Sequence, residues 1–190
     1  MKIANSVLVI VPMLFFLLSG CAGPKGATPI EKREAVRTMT QNTLAKLYEL
    51  EPQAKADLKA AVGYAVFSNT GINLLMVSTG NGWGIAHDNE SGKDIYMKML
   101  SAGVGLGLGV KDFRGVFVFS TREAFSTFVE TGWQAGAQAD VAAKGGEKGV
   151  AVAGAIDVGP GVKLYQITEN GLALQATIQG TKYWKDEELN

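Results

Sequence analysis

Glycines occupy every second position of Gly103-Val104-Gly105-Leu106-Gly107-Leu108-Gly109-Val110. Successive side chains of a strand point to opposite faces, so one face of this segment is bare backbone. The same smooth face recurs at Gly82, Gly84 and Ala86, at Ala135, Ala137 and Ala139, and at Ala151, Ala153 and Ala155. Larger residues such as Trp83, Ile85, Val150 and Val152 fall between them. Each glycine inside a strand costs roughly 0.5–1 kcal/mol relative to alanine, so the alternation needs a compensating contact. Two contacts would supply it: another backbone at close range in a strongly coiled, barrel-like sheet, or an apolar ligand lying on the strip at Gly103, Gly105, Gly107 and Gly109. A dinucleotide loop is a poor match. That fingerprint puts its glycines on a strand-to-helix turn, whereas Leu106, Leu108 and Val110 run on as strand into Lys111-Asp112.

Glycine also divides the chain. It is absent from residues 30–62 and abundant after Gly63. In the glycine-free part, Thr28-Pro29-Ile30-Glu31 has the cap, the first-turn proline and the glutamate three residues on that open a helix. Val36, Met39, Thr43, Leu44, Leu47 and Leu50 recur at helical steps, predicting an amphipathic helix over 29–50. Its other face carries Lys32, Arg33, Glu34, Arg37 and Lys46. Pro52 opens a second helix over 52–61, with Ala54, Leu58 and Ala61 inward. From Gly63 the period becomes two. Strands are predicted over 63–68, 73–79, 83–87, 94–98, 102–111 and 115–120, with turns at Asn81-Gly82 and Ser91-Gly92. Residues 122–131 suit a short helix with Phe125, Phe128 and Val129 inward, stopped at Gly132. Strands resume over 134–143, 149–158, 162–168 and 172–180, the last three as a meander joined at Gly159-Pro160-Gly161 and Asn170-Gly171. The expected class is α+β: N-terminal helices packed on a strongly curved, mainly antiparallel, Gly/Ala-rich sheet or barrel-like sandwich.

The first twenty residues stand apart. Lys2, an uncharged and mostly apolar run from Ile3 to Leu18, and small residues before Cys21 have the layout of a secretory signal peptide. The run contains Asn5, Ser6 and Pro12 and is shorter than the ~20 apolar residues of a membrane span. Leu18-Ser19-Gly20-Cys21 resembles the lipobox of bacterial lipoproteins. The resemblance implies cleavage before Cys21, a diacylglycerol on its sulfur and an acyl chain on its new amine. Residues 21–29, including Gly23-Pro24-Lys25-Gly26, then form a flexible tether, and residues 30–190 a single domain. Taking residues 1–20 off the 190 leaves 170, one domain's worth of chain, with 17 basic and 18 acidic side chains. That balance gives no basic excess for neutralising nucleic-acid phosphates. Cys21 is the only cysteine, so its acylation leaves no thiol for disulfides or catalysis.

No catalytic constellation emerges. His87 is the only histidine, too little with no free thiol for a zinc site, and no nucleophile-elbow spacing supports a serine partner for it. Asp88-Asn89-Glu90-Ser91-Gly92 lacks the alternating acids and distal glutamate of a calcium loop and reads as a solvated hairpin turn. Neither an enzyme activity, a metal nor a cofactor is expected. Lys55, Lys59, Lys111 and Arg114 are the cations placed to hold a phosphate headgroup beside the small-residue strip. A transmembrane barrel is not expected, since helices interrupt the strands and aromatic girdles are lacking.

The run Ala54-Lys55-Ala56-Asp57-Leu58-Lys59-Ala60-Ala61-Val62-Gly63-Tyr64-Ala65-Val66-Phe67 resembles the opening of the SYLF domain family. Later landmarks agree in order: the ladder 103–109 into Lys111-Asp112-Phe113, the stretch Phe125 to Trp133, Gly136 to Gly145, Tyr165 to Leu172, and Gly180-Thr181-Lys182-Tyr183. The resemblance spans residues 52–185 and implies a phosphoinositide-type lipid-binding domain. The actin association that the resemblance implies for the yeast members has no counterpart for an exported lipoprotein. Phe67-Ser68-Asn69 departs from the family, where a proline commonly follows the phenylalanine. The expected protein is a non-enzymatic envelope lipoprotein whose partner is membrane lipid; the alternative is a structural lipoprotein with an envelope protein partner. Ala22, where aspartate would signal inner-membrane retention, favours the outer membrane facing the periplasm.

Overall fold

A computed structural model describes residues 23–134, 154–168, 171–173 and 181–190, and only the backbone of residues 71–78, 103–112, 133, 134 and 173. Cys21, expected to carry the lipid, and the leader expected over 1–20 lie outside the described residues, as do most of the strands expected over 134–143 and 172–180.

Helix α1 spans Pro29–Leu50 and begins as the sequence dictates. The Glu31 amide donates to Thr28 Oγ1 at 3.3 Å while the Thr28 amide donates to Glu31 Oε2 at 3.0 Å, satisfying free donors at the helix start. Val36, Met39, Thr40, Thr43 and Leu47 are its buried stripe. Helix α2, Ala54–Ala60, buries Ala54 and Leu58. Helix α3, Arg122–Glu130, is capped by Thr121 and buries Phe125, Phe128 and Val129; Gly132 follows it at φ +71°.

The sheet departs from expectation in its segmentation. Two 26-residue strands, β1 (Gly63–Asp88) and β2 (Asp94–Phe119), replace the six short ones and pair antiparallel over almost their whole length. The turn predicted at Asn81-Gly82 does not exist: Asn81 opposes Leu100 and Gly82 opposes Met99 within the ladder. The turn predicted at Ser91-Gly92 is the hairpin's tip, with Gly92 at φ +70°. Short strands β3 (Trp133–Gln134), β4 (Ile156–Gly159), β5 (Val162–Thr168), β6 (Gly171–Ala173) and β7 (Thr181–Lys185) complete the sheet. β4, β5 and β6 form the expected meander. β2 is the spine, carrying β1 on one edge and, on the other, β7 at its N-terminal end and β5 at its C-terminal end. The sheet curls into an antiparallel half-barrel beside the helices, an α+β fold.

Alternation along the strands builds two cores. Ala65, Phe67, Ala86, Met97, Met99, Phe117, Phe119 and Tyr183 face α3 with Phe125 and Phe128. Val66, Ile85, Tyr96, Val116, Val118, Tyr165 and Ile167 face α1 and α2 with Val36, Leu47 and Leu58. The aromatic rings of the first core meet mainly edge-on or tilted, Phe67 and Tyr183 at 4.7 Å between centroids and Phe119 and Phe128 at 4.9 Å.

The bare strip has its explanation in β1. A methyl group on Gly84 would collide with the Val66 carbonyl oxygen, and one on Gly82 with that of Ser68. On Gly80 it would lie 2.6 Å from Ser101 Oγ, and on Gly63 it would lie 2.7 Å from the His87 carbonyl oxygen. The two ends of β1 therefore press together, backbone on backbone, where the long ribbon coils. Gly103, Gly107 and Gly109 pair with Ser78, Leu75 and Asn73 of β1, and Gly105 falls at the register shift opposite Leu75 to Val77, but what lies against their bare face is outside the described residues.

Candidate functional site

Alternation puts Arg114 on the helix side of β2, in step with Val116 and Val118. The register sets it opposite Ile167 of β5 and Ser68 of β1. Above it, α1 delivers Asn42, Thr43 and Lys46, which share one helix face by their three- and four-residue spacing. These side chains, with Phe113, Ile167 and Thr168, line an open pocket of about 200 Å³. Arg114 is half-buried and donates from Nη1 to Thr43 Oγ1 at 3.3 Å. Among the described residues no carboxylate lies within salt-bridge distance of it. Lys46 holds Glu49 at 3.1 Å, but both are well exposed and such a pair is worth little. The Thr43 and Thr168 hydroxyls donate to Met39 Sδ and the Gly171 carbonyl, so the pocket offers a guanidinium fork, an exposed ammonium and an amide beside two apolar side chains.

Of the expected headgroup cations whose side chains are described, only Arg114 lines this pocket. Lys55 and Lys59 are exposed on α2 and do not line it, and the Lys111 side chain is outside the described residues. Sequence reasoning missed Asn42, Thr43, Lys46 and Thr168. Thr43 was legible as part of the buried stripe of α1, but nothing local says that this stretch lies over Arg114, 71 residues away.

Several other titratable groups tie elements of the fold together. His87 Nδ1 lies 2.7 Å from Asp94 Oδ1 across the hairpin, and its ring stands 5.0 Å from that of Tyr64. Asp94 also faces Arg37 of α1 at 3.6 Å. Tyr165 donates to Asp57 Oδ2 at 2.9 Å, and burial together with that carboxylate pushes its phenol up. Arg122 forks onto Asp88 at 2.8 and 3.1 Å and holds the Asp88 carboxyl down at about 2. Among the described residues, no group of three or more His, Cys, Asp or Glu side chains is placed to hold a metal ion, and no helix is long and apolar enough to cross a membrane.

No family model matches the chain. Beta cell expansion factor A of Aeromonas veronii is 38% identical to it over 172 residues, which are 90% of this chain. The chain spans 63% of the length of that curated relative.

Proposed function

We propose that this chain is a membrane-anchored envelope lipoprotein, fastened through acylated Cys21, whose SYLF-like domain binds phospholipid without catalysing a reaction. One observation carries the lipid half: Arg114, half-buried with no carboxylate partner among the described residues, stands in an open pocket beside Phe113 and Ile167. A charge withdrawn from water calls for a counter-ion, and an anionic group with apolar neighbours suits this one. The anchor half rests on the sequence from Lys2 to Cys21. Acyl chains contribute about 0.8 kcal/mol per buried CH₂, so attachment belongs to Cys21 and the domain supplies selectivity. The SYLF likeness of residues 52–185 supports the same reading, as does the absence from the sequence of any recognisable catalytic grouping.

Labelled palmitate is expected to enter the parent chain and not Cys21→Ser, which leaves the membrane fraction. The Cys21→Ser chain, freed of its leader, is expected to float with anionic vesicles and not with neutral ones. Equal recovery with anionic vesicles, neutral vesicles and no vesicles would remove the lipid-binding reading. The relative's name supports a second reading, an effect on beta cell expansion. Applying the leaderless chain to cultured beta cells and counting division tests it; unchanged counts dispose of it.

A further inference from the structure

The Arg114 pocket is shared by three elements that are distant in sequence. Asn42, Thr43 and Lys46 come from α1, Arg114 from β2, and Ile167 and Thr168 from β5. At about 200 Å³ it is smaller than the roughly 300–1,000 Å³ of sites that enclose drug-sized ligands. It therefore admits a polar group of headgroup size, and acyl chains must lie elsewhere. Its donors outnumber what a carboxylate uses. Arginine presents a planar fork for two oxygens, lysine a movable point charge, and Asn42 a further amide donor. A phosphate with one ester bond has three free oxygens and close to two negative charges, and it matches that set.

We propose that this pocket binds a singly esterified phosphate, and that its occupant bridges α1 to β2 and β5. The guanidinium of Arg114 takes two phosphate oxygens, and Lys46 leaves Glu49 to take the third. The ester carbon lies toward Phe113 and Ile167. Occupancy supplies the counter-charge that Arg114 lacks among the described residues and fastens the C-terminal half of α1 to the sheet. Phosphatidic acid and a soluble ester such as glycerol 3-phosphate present the same group. Where the ester is a lipid, the site rests on the lipid-binding reading above; where it is soluble, it does not.

The test uses the full chain in neutral detergent micelles. Glycerol 3-phosphate is titrated by calorimetry, and in parallel the micelles are doped with phosphatidic acid or phosphatidylcholine while amide hydrogen exchange is followed. Saturable binding of glycerol 3-phosphate is expected, with slowed exchange across residues 42–47 and 113–116. Phosphatidic acid should give the same protection and phosphatidylcholine none. Arg114→Ala and Lys46→Ala should each weaken binding about tenfold or more, because each removes a charge-assisted contact. Lys46 is exposed, so its replacement leaves the fold intact. Lys93→Ala, on the exposed hairpin turn, should change nothing. No saturable binding of either ester, or affinities that stay within about twofold in both pocket variants, overturns the proposal. Binding of glycerol 3-phosphate that needs Arg114, with no response to phosphatidic acid, upholds the site and defeats the lipid reading. Phosphatidic acid binding indifferent to both substitutions does the reverse.

Discussion

At the tip of the β1–β2 hairpin, each polar side chain of the turn has a separate duty. Asn89 donates from Nδ2 to the carbonyls of Leu58 and Ala61 at 2.8 and 2.9 Å, closing the C-terminus of α2. Asp88 receives the Arg122 fork, and Glu90 takes a further bond from the same guanidinium at 2.6 Å. A stretch that reads locally as a solvated turn thus ties both α2 and α3 to the hairpin. The Asp88 carboxyl titrates lower in the folded protein than in the unfolded chain, at about 2 against 3.8. A depressed carboxyl contributes stability that is complete above its unfolded value and lost as pH falls through its folded one. Thermal melts of the parent are therefore expected to drop between about pH 4 and pH 2 more steeply than those of Arg122→Ala. Identical acid limbs would show that the fork contributes nothing to folding. Both partners of this bridge are legible as residues, but their meeting is not, because 34 positions separate them.

Among the elements, the helices follow their local signals closely, whereas the strands run on through theirs. Pro29–Leu50 carries its own start signals and a stripe of one period, all within the segment. Asn81-Gly82 carries an equally local hairpin signal, yet it lies inside a strand because Gly82 answers a long-range demand. Its missing side chain leaves room for the carbonyl of Ser68, as that of Gly84 does for Val66. Glycine has two uses, turning and close approach, and neighbouring residues do not distinguish them. Gly115 is a contrasting case in β2, where an added methyl would meet nothing closer than 3.5 Å. Gly84→Ala is expected to cost about 3 kcal/mol or more, since its obstacle is backbone that cannot step aside. Gly115→Ala should be neutral or stabilise by up to about 1 kcal/mol. Urea unfolding of the two variants decides it; equal midpoints would mean that the coil of β1 does not rest on the bare glycines.

Across the whole molecule, the sheet separates a phenylalanine-rich core under α3 from a mainly aliphatic one, with Tyr96 and Tyr165, under α1 and α2, and the C-terminal residues close the second. Leu189 is 2% exposed within it. Its carbonyl accepts from Arg33 Nε at 2.7 Å, Glu188 pairs with Lys32, and the Asn190 side chain joins the edge of β2 by accepting from the Tyr96 amide and donating to the Tyr96 carbonyl. The guanidinium groups of Arg33 and Arg37 also stand over the Tyr96 ring. Basic residues that helical periodicity assigns to an outward face of α1 are thereby spent on holding the helix down. Leu189→Ala is expected to cost about 2–5 kcal/mol and to speed amide exchange in the N-terminal half of α1. A stability loss without that local change would place the contribution of Leu189 elsewhere.

Taken alone, the sequence determined what depends on near neighbours: the capped helix α1, the alternation that gives each strand two faces, and the α3 stop at Gly132. Arg114 was legible as a cation that wants an anion. Tertiary structure alone decided that β1 and β2 run unbroken, that glycines in β1 receive backbone rather than forming a turn, and that Thr43, Arg114 and Thr168 share one pocket. Local periodicity records which way a side chain points. What it points at is settled by register and coiling, which depend on contacts between residues far apart in the chain.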